Sequence, residues 1–360
     1  MMNMEKQNMM IKNERVAVVS DLHIGKHQNS PRWHNIALDF AKWFKENLIR
    51  ENISDIIICG DVNDDRNEIS VQTLHTLNDM FTIWKDFNII ILVGNHDSYY
   101  KNRTDVNSLS LFSGWDNITI IDQVTPYRVF GKDIIFCPWN GNLSGINKCD
   151  YLFGHLEING FSMSKMKVCT GGIDSPNILK LADMTISGHF HAREDRKYKN
   201  GRILYLGSPY EMDWGDCGTT TRGFYYLDIP TGKYDFVENT LSPKHKKIRM
   251  SEITAAGKLT DDIRKEFKGN FINFIVDQEI KNFDKLGNFI ATLGALGAVS
   301  IKTEYLLENR VSVEDSEYEF NSVDIPASIE EFIKMTDYED KDIILDEITS
   351  LYETCKQGDD

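Results

Sequence analysis

Residues 89–97 read IIILVGNHD. Five apolar residues stop at Gly94, and Asn95, His96 and Asp97 follow. An unbroken apolar run of this length is the pattern of a parallel strand buried on both faces. Three polar side chains at its end have a purpose only if they point at something. The same punctuation recurs along the chain. RVAVVS (15–20) is followed by Asp21-Leu22-His23, and DIIICG (55–60) by Asp61-Val62-Asn63-Asp64. YLFG (151–154) is followed by His155, and MTISG (184–188) by His189-Phe190-His191. Amphipathic segments at 33–50 and 70–86 separate the first three strands, which makes βαβ units.

The class expected is therefore α/β. Further strands are predicted at ITIID (118–122), DIIFCPW (133–139), RILYLG (202–207) and GFYYLD (223–228), the later ones close enough to include antiparallel pairs. Residues 1–14 read as a disordered leader and 15–240 as the main domain. The basic stretch KHKKIR (244–249) fits either an exposed linker or a contact to phosphate. Residues 270–306 read strand, helix, strand, so 241–312 forms a small α/β capping domain. An acidic linker (313–328) and a helical segment (329–360) complete the chain.

The net charge of −15 argues against a polyanionic partner until it is located. Residues 311–360 hold 16 Asp+Glu against 3 Lys, whereas the other 310 residues hold 39 acids and 37 bases. The body is nearly neutral and the tail is acidic. No apolar stretch approaches the ~20 residues of a membrane span. The N-terminus has no apolar core of a signal peptide, so a cytoplasmic protein is expected. The six cysteines include no Cys-x-x-Cys pair, which fits a reducing compartment better than a disulfide framework.

The carboxyl ends of parallel strands are where α/β sheets bind ligands. Asp, His and Asn offer oxygen and nitrogen, a donor mixture suited to Mn²⁺, Fe or Zn²⁺ rather than Ca²⁺. There are too many donors for one ion. Two divalent ions sharing a bridging carboxylate would use them all, and such a pair activates water and stabilises both the entering and the leaving oxygen of phosphoryl transfer.

D-x-H, G-D-x-x-D, G-N-H-D, a lone G-H and G-H-x-H, in this order over residues 16–191, resemble the calcineurin-like metallophosphoesterase superfamily. The resemblance implies a β-sandwich flanked by helices. It implies that Asp21, His23 and His191 hold one ion, that Asn95, His155 and His189 hold the other, and that Asp61 bridges. His96 is then the general acid or transition-state stabiliser, with Asp97 orienting it. Within the superfamily, GHLEINGF (154–161) and SGHFHAR followed by YLGSPYEMDWGD (205–216) are similar to the SbcD-type nuclease subunit of the double-strand-break repair complex. That likeness implies a Mn²⁺-dependent DNA exonuclease and endonuclease, with Mg²⁺ as the alternative ion. It also implies a homodimer within a heterotetramer and a coiled-coil SbcC-like ATPase docked on residues 329–360. By charge alone that tail reads equally as a solvated acidic end. Asp64 stands where some such nucleases carry histidine, and is expected to orient the ligands or the loop. The rival enzyme is a small-molecule phosphodiesterase or phosphoprotein phosphatase of the same superfamily.

Overall fold

The computed structural model describes residues 10–165, 167–278 and 283–306, with positions 341, 345, 346, 348 and 349. β1 (Arg15–Val19), β2 (Asp55–Ile58) and β3 (Asn88–Leu92) lie side by side and parallel. They are joined by helices α1 (Pro31–Arg50) and α2 (Val71–Ile83). In α1, Ile36, Ala37, Phe40, Ala41, Phe44 and Leu48 recur at helical spacing and are buried, and Pro31 stands in the first turn. α2 is capped by the Ser70 hydroxyl, which accepts from the Thr73 amide at 3.0 Å.

The chain continues through β4 (Ile118–Ile121), β5 (Thr125–Val129), β6 (Lys132–Cys137) and β7 (Cys149–His155). A small hairpin, β8 (Ser162–Ser164) and β9 (Lys167–Val168), precedes helix α3 (Ser175–Leu181) and β10 (Ala182–Gly188). β11 (Glu194–Tyr198), β12 (Gly201–Tyr205), β13 (Gly223–Asp228) and β14 (Tyr234–Glu238) follow. They assemble into two six-stranded sheets, ordered β14-β13-β1-β2-β3-β4 and β11-β12-β10-β7-β6-β5.

Alternation of side chains explains the layering. Val16, Val18, Ile57, Ile90 and Leu92 face the second sheet and pack with Phe136, Phe153, Ile186 and Leu204. The intervening residues Ala17, Val19, Ile56, Ile58, Ile89 and Ile91 pack against Phe40, Phe44, Phe81 and Trp84 of the helical layer. On the far side of the second sheet, Leu152, Ile203 and Tyr205 cluster with Ile178 of α3. The fold is thus an α/β sandwich flanked by helices, and β1, β2 and β3 are buried on both faces as their composition requires.

Beyond it, β15 (His245–Arg249), helices α4 (Met250–Ala255) and α5 (Asp261–Phe267), β16 (Phe271–Val276), α6 (Phe283–Gly294) and β17 (Ser300–Tyr305) form a parallel sheet ordered β15-β16-β17. KHKKIR is therefore not a linker. Its residues 245–249 are an edge strand with His245 and Ile248 buried, and the surrounding lysines hide the apolar alternation. His245 sits 3.1 Å from Glu211, and its ring lies 4.8 Å from Phe271, which stacks on Trp33 of α1 at 5.4 Å.

The leader also needs correction. Met10 and Ile11 are buried, and the amides of Lys12 and Asn13 donate to the Asp55 carboxylate at 3.1 and 2.9 Å. Residues 10–14 are thus part of the sandwich edge, while 1–9 lie outside the described residues. Contacts divide the chain into Met1–Leu307 and Glu308–Asp360. The acidic linker expected at 313–328 lies outside the described residues, as does the helical segment expected at 329–360 apart from five single positions. No helix among the described residues is long and apolar enough to cross a membrane.

Candidate metal centre

Every site residue expected from the sequence sits at or just past a strand end, and the two sheets bring them together. Asp21 and His23 follow β1, Asp61 follows β2, and Asn95 and His96 follow β3. His155 ends β7, and His189 and His191 follow β10. The backbone turns abruptly there. Asp21, His23, Asp61 and His189 all have positive φ, at 56°, 47°, 52° and 93°. Left-handed backbone at a non-glycine residue costs ~1–3 kcal/mol and persists where neighbours impose it. Here the Asp21 amide donates to the Gly60 carbonyl at 3.0 Å, and the His23 amide to the Asp61 carbonyl at 3.1 Å.

Gly94 has a more specific reason than a sharp turn. A Cβ at this position would overlap the amide and carboxylate of Asp61, and one at Gly188 would overlap Ser20 and the Cys59 carbonyl. Both glycines are what allow the strand ends to close on one another.

Two donor clusters result. Asp21, His23 and His191 bring ligand atoms within 4.8 Å of one another, and so do Asp61, His155 and His189. Nε2 of His23 and Nε2 of His191 face each other at 3.0 Å. In the second cluster Asn95 Oδ1 lies 2.9 Å from His155 Nε2 and 2.8 Å from His189 Nδ1. Asp61 stands between the clusters, with Oδ2 3.2 Å from His155 Nε2 and 3.7 Å from His23 Nε2. Its other oxygen accepts the His96 amide at 2.8 Å.

Outer hydrogen bonds fix which nitrogen faces inward. His155 Nδ1 donates to the Cys59 carbonyl at 2.7 Å, and His23 Nδ1 donates to Asp64 Oδ1 at 3.0 Å. Both therefore present Nε2 to the cluster. Asp64 also meets Lys26 at 3.2 Å, and it forms a further grouping with His23 and His96. With Oδ1 engaged by His23 and Lys26, Asp64 serves to hold the His23 ring. Replacing Asp64 with Ala should cost about 10–100-fold in metal affinity, the usual effect of removing such a support. Isothermal titration with Mn²⁺ measures it, and unchanged affinity would deny Asp64 this part.

One expected contact is absent. Asp97 does not orient the His96 ring. Its Oδ1 accepts the amides of Val62 and Asn63, both at 2.9 Å, and its Oδ2 the amide of Gly94 at 2.9 Å. It ties the β2 and β3 loops together. The His96 ring is instead oriented through Nδ1, which donates to the Asp64 carbonyl. It lies edge-on to His23 with centroids 4.7 Å apart. A backbone acceptor leaves no mark in the sequence, whereas Asp97, being adjacent, looked like the partner.

The electrostatics are those of a site built around cations. Burial pushes the Asp21 carboxyl up to about 6, with Asp61 adding repulsion. Burial also works to raise Asp61, but His155, His23 and His96 outweigh it and hold that carboxyl far below its usual range. Burial opposes charge on His155, yet Asp61 and Asp21 bring it up to about 9. Burial lowers His189 to about 3 and depresses His191 as well, each reinforced by neighbouring imidazolium charge. Seven oxygen and nitrogen donors, two of them buried carboxylates, fit two divalent ions. Such ions bind neutral imidazole. Without metal His155 keeps its proton below about pH 9, so loading near pH 7 should release at least one proton, and affinity should fall as pH drops. Calorimetry in buffers of different ionisation enthalpy reads this directly. Loading with no proton release would contradict the arrangement.

The chain belongs to the calcineurin-like phosphoesterase family, whose model matches residues 14–193, half of its length. The family is one of phosphoester hydrolases with a dinuclear metal site. A search of curated proteins found no match. Among solved structures the chain is similar to an archaeal phosphodiesterase at 16% identity and TM-score 0.35, covering 62% of this chain and 99% of that one. It is similar to a dimetal phosphatase from Danio rerio at 11% identity and TM-score 0.38, covering 60% and 92%. It is also similar to GAP50, the anchor in the inner membrane complex of Plasmodium, at 15% identity and TM-score 0.37, covering 62% and 88%.

Proposed function

We propose that this chain is a Mn²⁺-dependent DNA nuclease that cuts duplex ends and single strands, working in double-strand-break repair and recombination beside an SbcC-like ATPase. The observation that supports a polymeric, anionic substrate is a cleft of about 460 Å³ lined by Arg222, Lys244, Lys246 and Lys247 together with Glu211 and Glu266. Loop 217–222, which lines it, is tied to the metal centre. The Arg193 amide donates to Thr220 Oγ1 at 3.0 Å, and Arg222 Nη1 donates to Ser208 Oγ at 3.2 Å. The Ser208 amide in turn donates to the His191 carbonyl at 3.0 Å. Arg222, Lys244 and Lys246 pair with Asp216, Glu238 and Glu266, whereas Lys247 makes no ion pair among the described residues and is the cation left for phosphate. Lysines beside a catalytic centre attract a phosphate backbone despite the acidity of the whole chain.

In this reading Asp21, His23, Asp61, Asn95, His155, His189 and His191 hold two cations, with Mg²⁺ as the alternative to Mn²⁺. Two divalent ions held there supply Lewis-acid polarisation of the phosphoryl oxygens and an activated water. His96, anchored through Nδ1, keeps Nε2 for the departing oxygen. Gly94 and Asp97 keep the β3 loop against Asp61.

Incubating end-labelled duplex and single-stranded DNA with Mn²⁺, Mg²⁺ or chelator tests the reading. Cleavage with Mn²⁺ and none with chelator is expected. Turnover of a phosphomonoester with intact DNA would favour the phosphatase rival. The ATPase docking rests on the apolar positions of 329–360. Deleting that segment should abolish co-purification with the ATPase and leave hydrolysis of a small phosphodiester unchanged, and retained association would contradict the docking.

A further inference from the structure

Of the six tryptophans, five pack into the apolar cluster that joins the first sheet to its helices. Trp139 alone belongs to none of the four apolar clusters among the described residues. It follows β6, is only half-buried, and lies against the metal centre. Its ring is 5.0 Å from that of His189 at 37° and 6.1 Å from that of His155. The Trp139 amide donates to the Val93 carbonyl at 2.8 Å, beside the G-N-H-D loop. Its indole Nε1 donates to the Lys101 carbonyl at 3.1 Å, and the Asn140 side chain donates to the same oxygen.

That carbonyl belongs to a loop with its own exposed aromatics. Tyr99 and Tyr100 are 52% and 39% exposed, too much for core residues of their size. Their rings are edge-to-face at 5.0 Å, and Arg103 lies over Tyr100 at 4.0 Å. The loop is not slack. Ser98 Oγ donates to the Tyr100 carbonyl at 3.1 Å, and the Tyr99 amide to the Val106 carbonyl at 3.0 Å. Lys101 forms no ion pair among the described residues. Exposed rings held on a braced loop, interleaved with cations and tethered to a ring at the metal ligands, are the composition of a stacking surface for unpaired bases.

We infer that Trp139, with Tyr99 and Tyr100 on the loop to which it is hydrogen-bonded, is a platform on which an unpaired nucleobase stacks while the adjoining phosphate occupies the metal centre. The inference rests on the nuclease reading for its choice of ligand. It adds that the strand is locally unpaired at the point of cutting, because the face of a paired base is covered by its neighbours in the duplex. Lys101 meets the backbone of the same strand, while Arg103, paired with Asp105 at 3.1 Å, braces the Tyr100 ring.

The test is binding rather than cutting. A short fluorescent oligo(dT) is titrated with the full chain in chelator, and anisotropy is read. Trp139→Ala should weaken binding about 5- to 150-fold, the loss typical of one stacked base. Trp139→Phe should recover most of the affinity, and a blunt duplex of equal length should bind both variants alike. Tyr100→Ala, remote from the ligands, should weaken the single strand in the same sense, which keeps the test open if Trp139→Ala does not fold. Failure of the intact chain to bind the strand overturns the platform. So does an alanine variant that binds as tightly as the parent, a phenylalanine variant as weak as alanine, or a parallel loss on duplex. A chain that binds through Trp139 yet cuts no DNA retires the nuclease reading and leaves the platform standing.

Discussion

Replacing Asp61 with Asn should lower kcat/KM on the order of 10³-fold or more and reduce the metal content from two ions per chain to one at most. The reason lies in its position. Among the described residues, Oδ2 of Asp61 is the one carboxylate oxygen within 4 Å of an imidazole of each cluster, at 3.2 Å from His155 and 3.7 Å from His23. Asparagine keeps the shape and removes the charge. Two cations brought close together would then repel with nothing negative between them, and His23 and His155 lose the negative charge they share. Circular dichroism would show the fold intact, since the backbone contacts of Asp61 do not depend on the charge. An Asn variant that retains two ions and near-normal turnover would remove Asp61 from the bridging position.

His96→Gln should give the opposite dissociation of effects: metal content unchanged, turnover down by about 10²–10⁴-fold, the range for loss of a general acid or base. His96 is near both clusters, with its ring 4.7 Å from that of His23, but its Nδ1 is already engaged by the Asp64 carbonyl. Only Nε2 is available to substrate. Glutamine spans a similar length and cannot titrate. The loss should be greatest for substrates with a poor leaving group and smallest for a nitrophenyl ester, whose leaving oxygen needs no proton. Elemental analysis that finds metal lost together with activity would make His96 a ligand. Asp97→Asn separates the two residues further. Asp97 is braced by three backbone amides, so its loss should loosen the β2 and β3 loops, lowering thermal stability as well as rate.

The metal centre is legible in the sequence because its residues are spelled next to their strands. An apolar run ending in Asp, His or Asn is visible in one dimension, and parallel pairing of β1, β2 and β3 then forces those ends to one edge. What the sequence hides are contacts between segments far apart. Nothing in G-N-H-D tells that Asp97 spends its carboxylate on Val62, Asn63 and Gly94, or that a carbonyl from Asp64 holds His96. The edge strands were obscured for a related reason. EDRKY in β11 and HKKIR in β15 carry charges on the side facing water, so the alternation is read from only one or two apolar residues each. Trp139 gave no signal at all. At the end of the strand predicted over 133–139 it reads as core, and only its exclusion from every apolar cluster among the described residues and its place beside His189 mark it otherwise.

The central claim is a dinuclear centre assembled from both sheets, and the most direct measurement is the number of ions it holds. Metal-free chain dialysed against Mn²⁺ and analysed for metal per protein should contain two equivalents. Asp21→Ala and His155→Ala should each retain one, because they belong to different clusters. A stoichiometry of one in the parent chain, or loss of all metal in both variants, would contradict the two-cluster account.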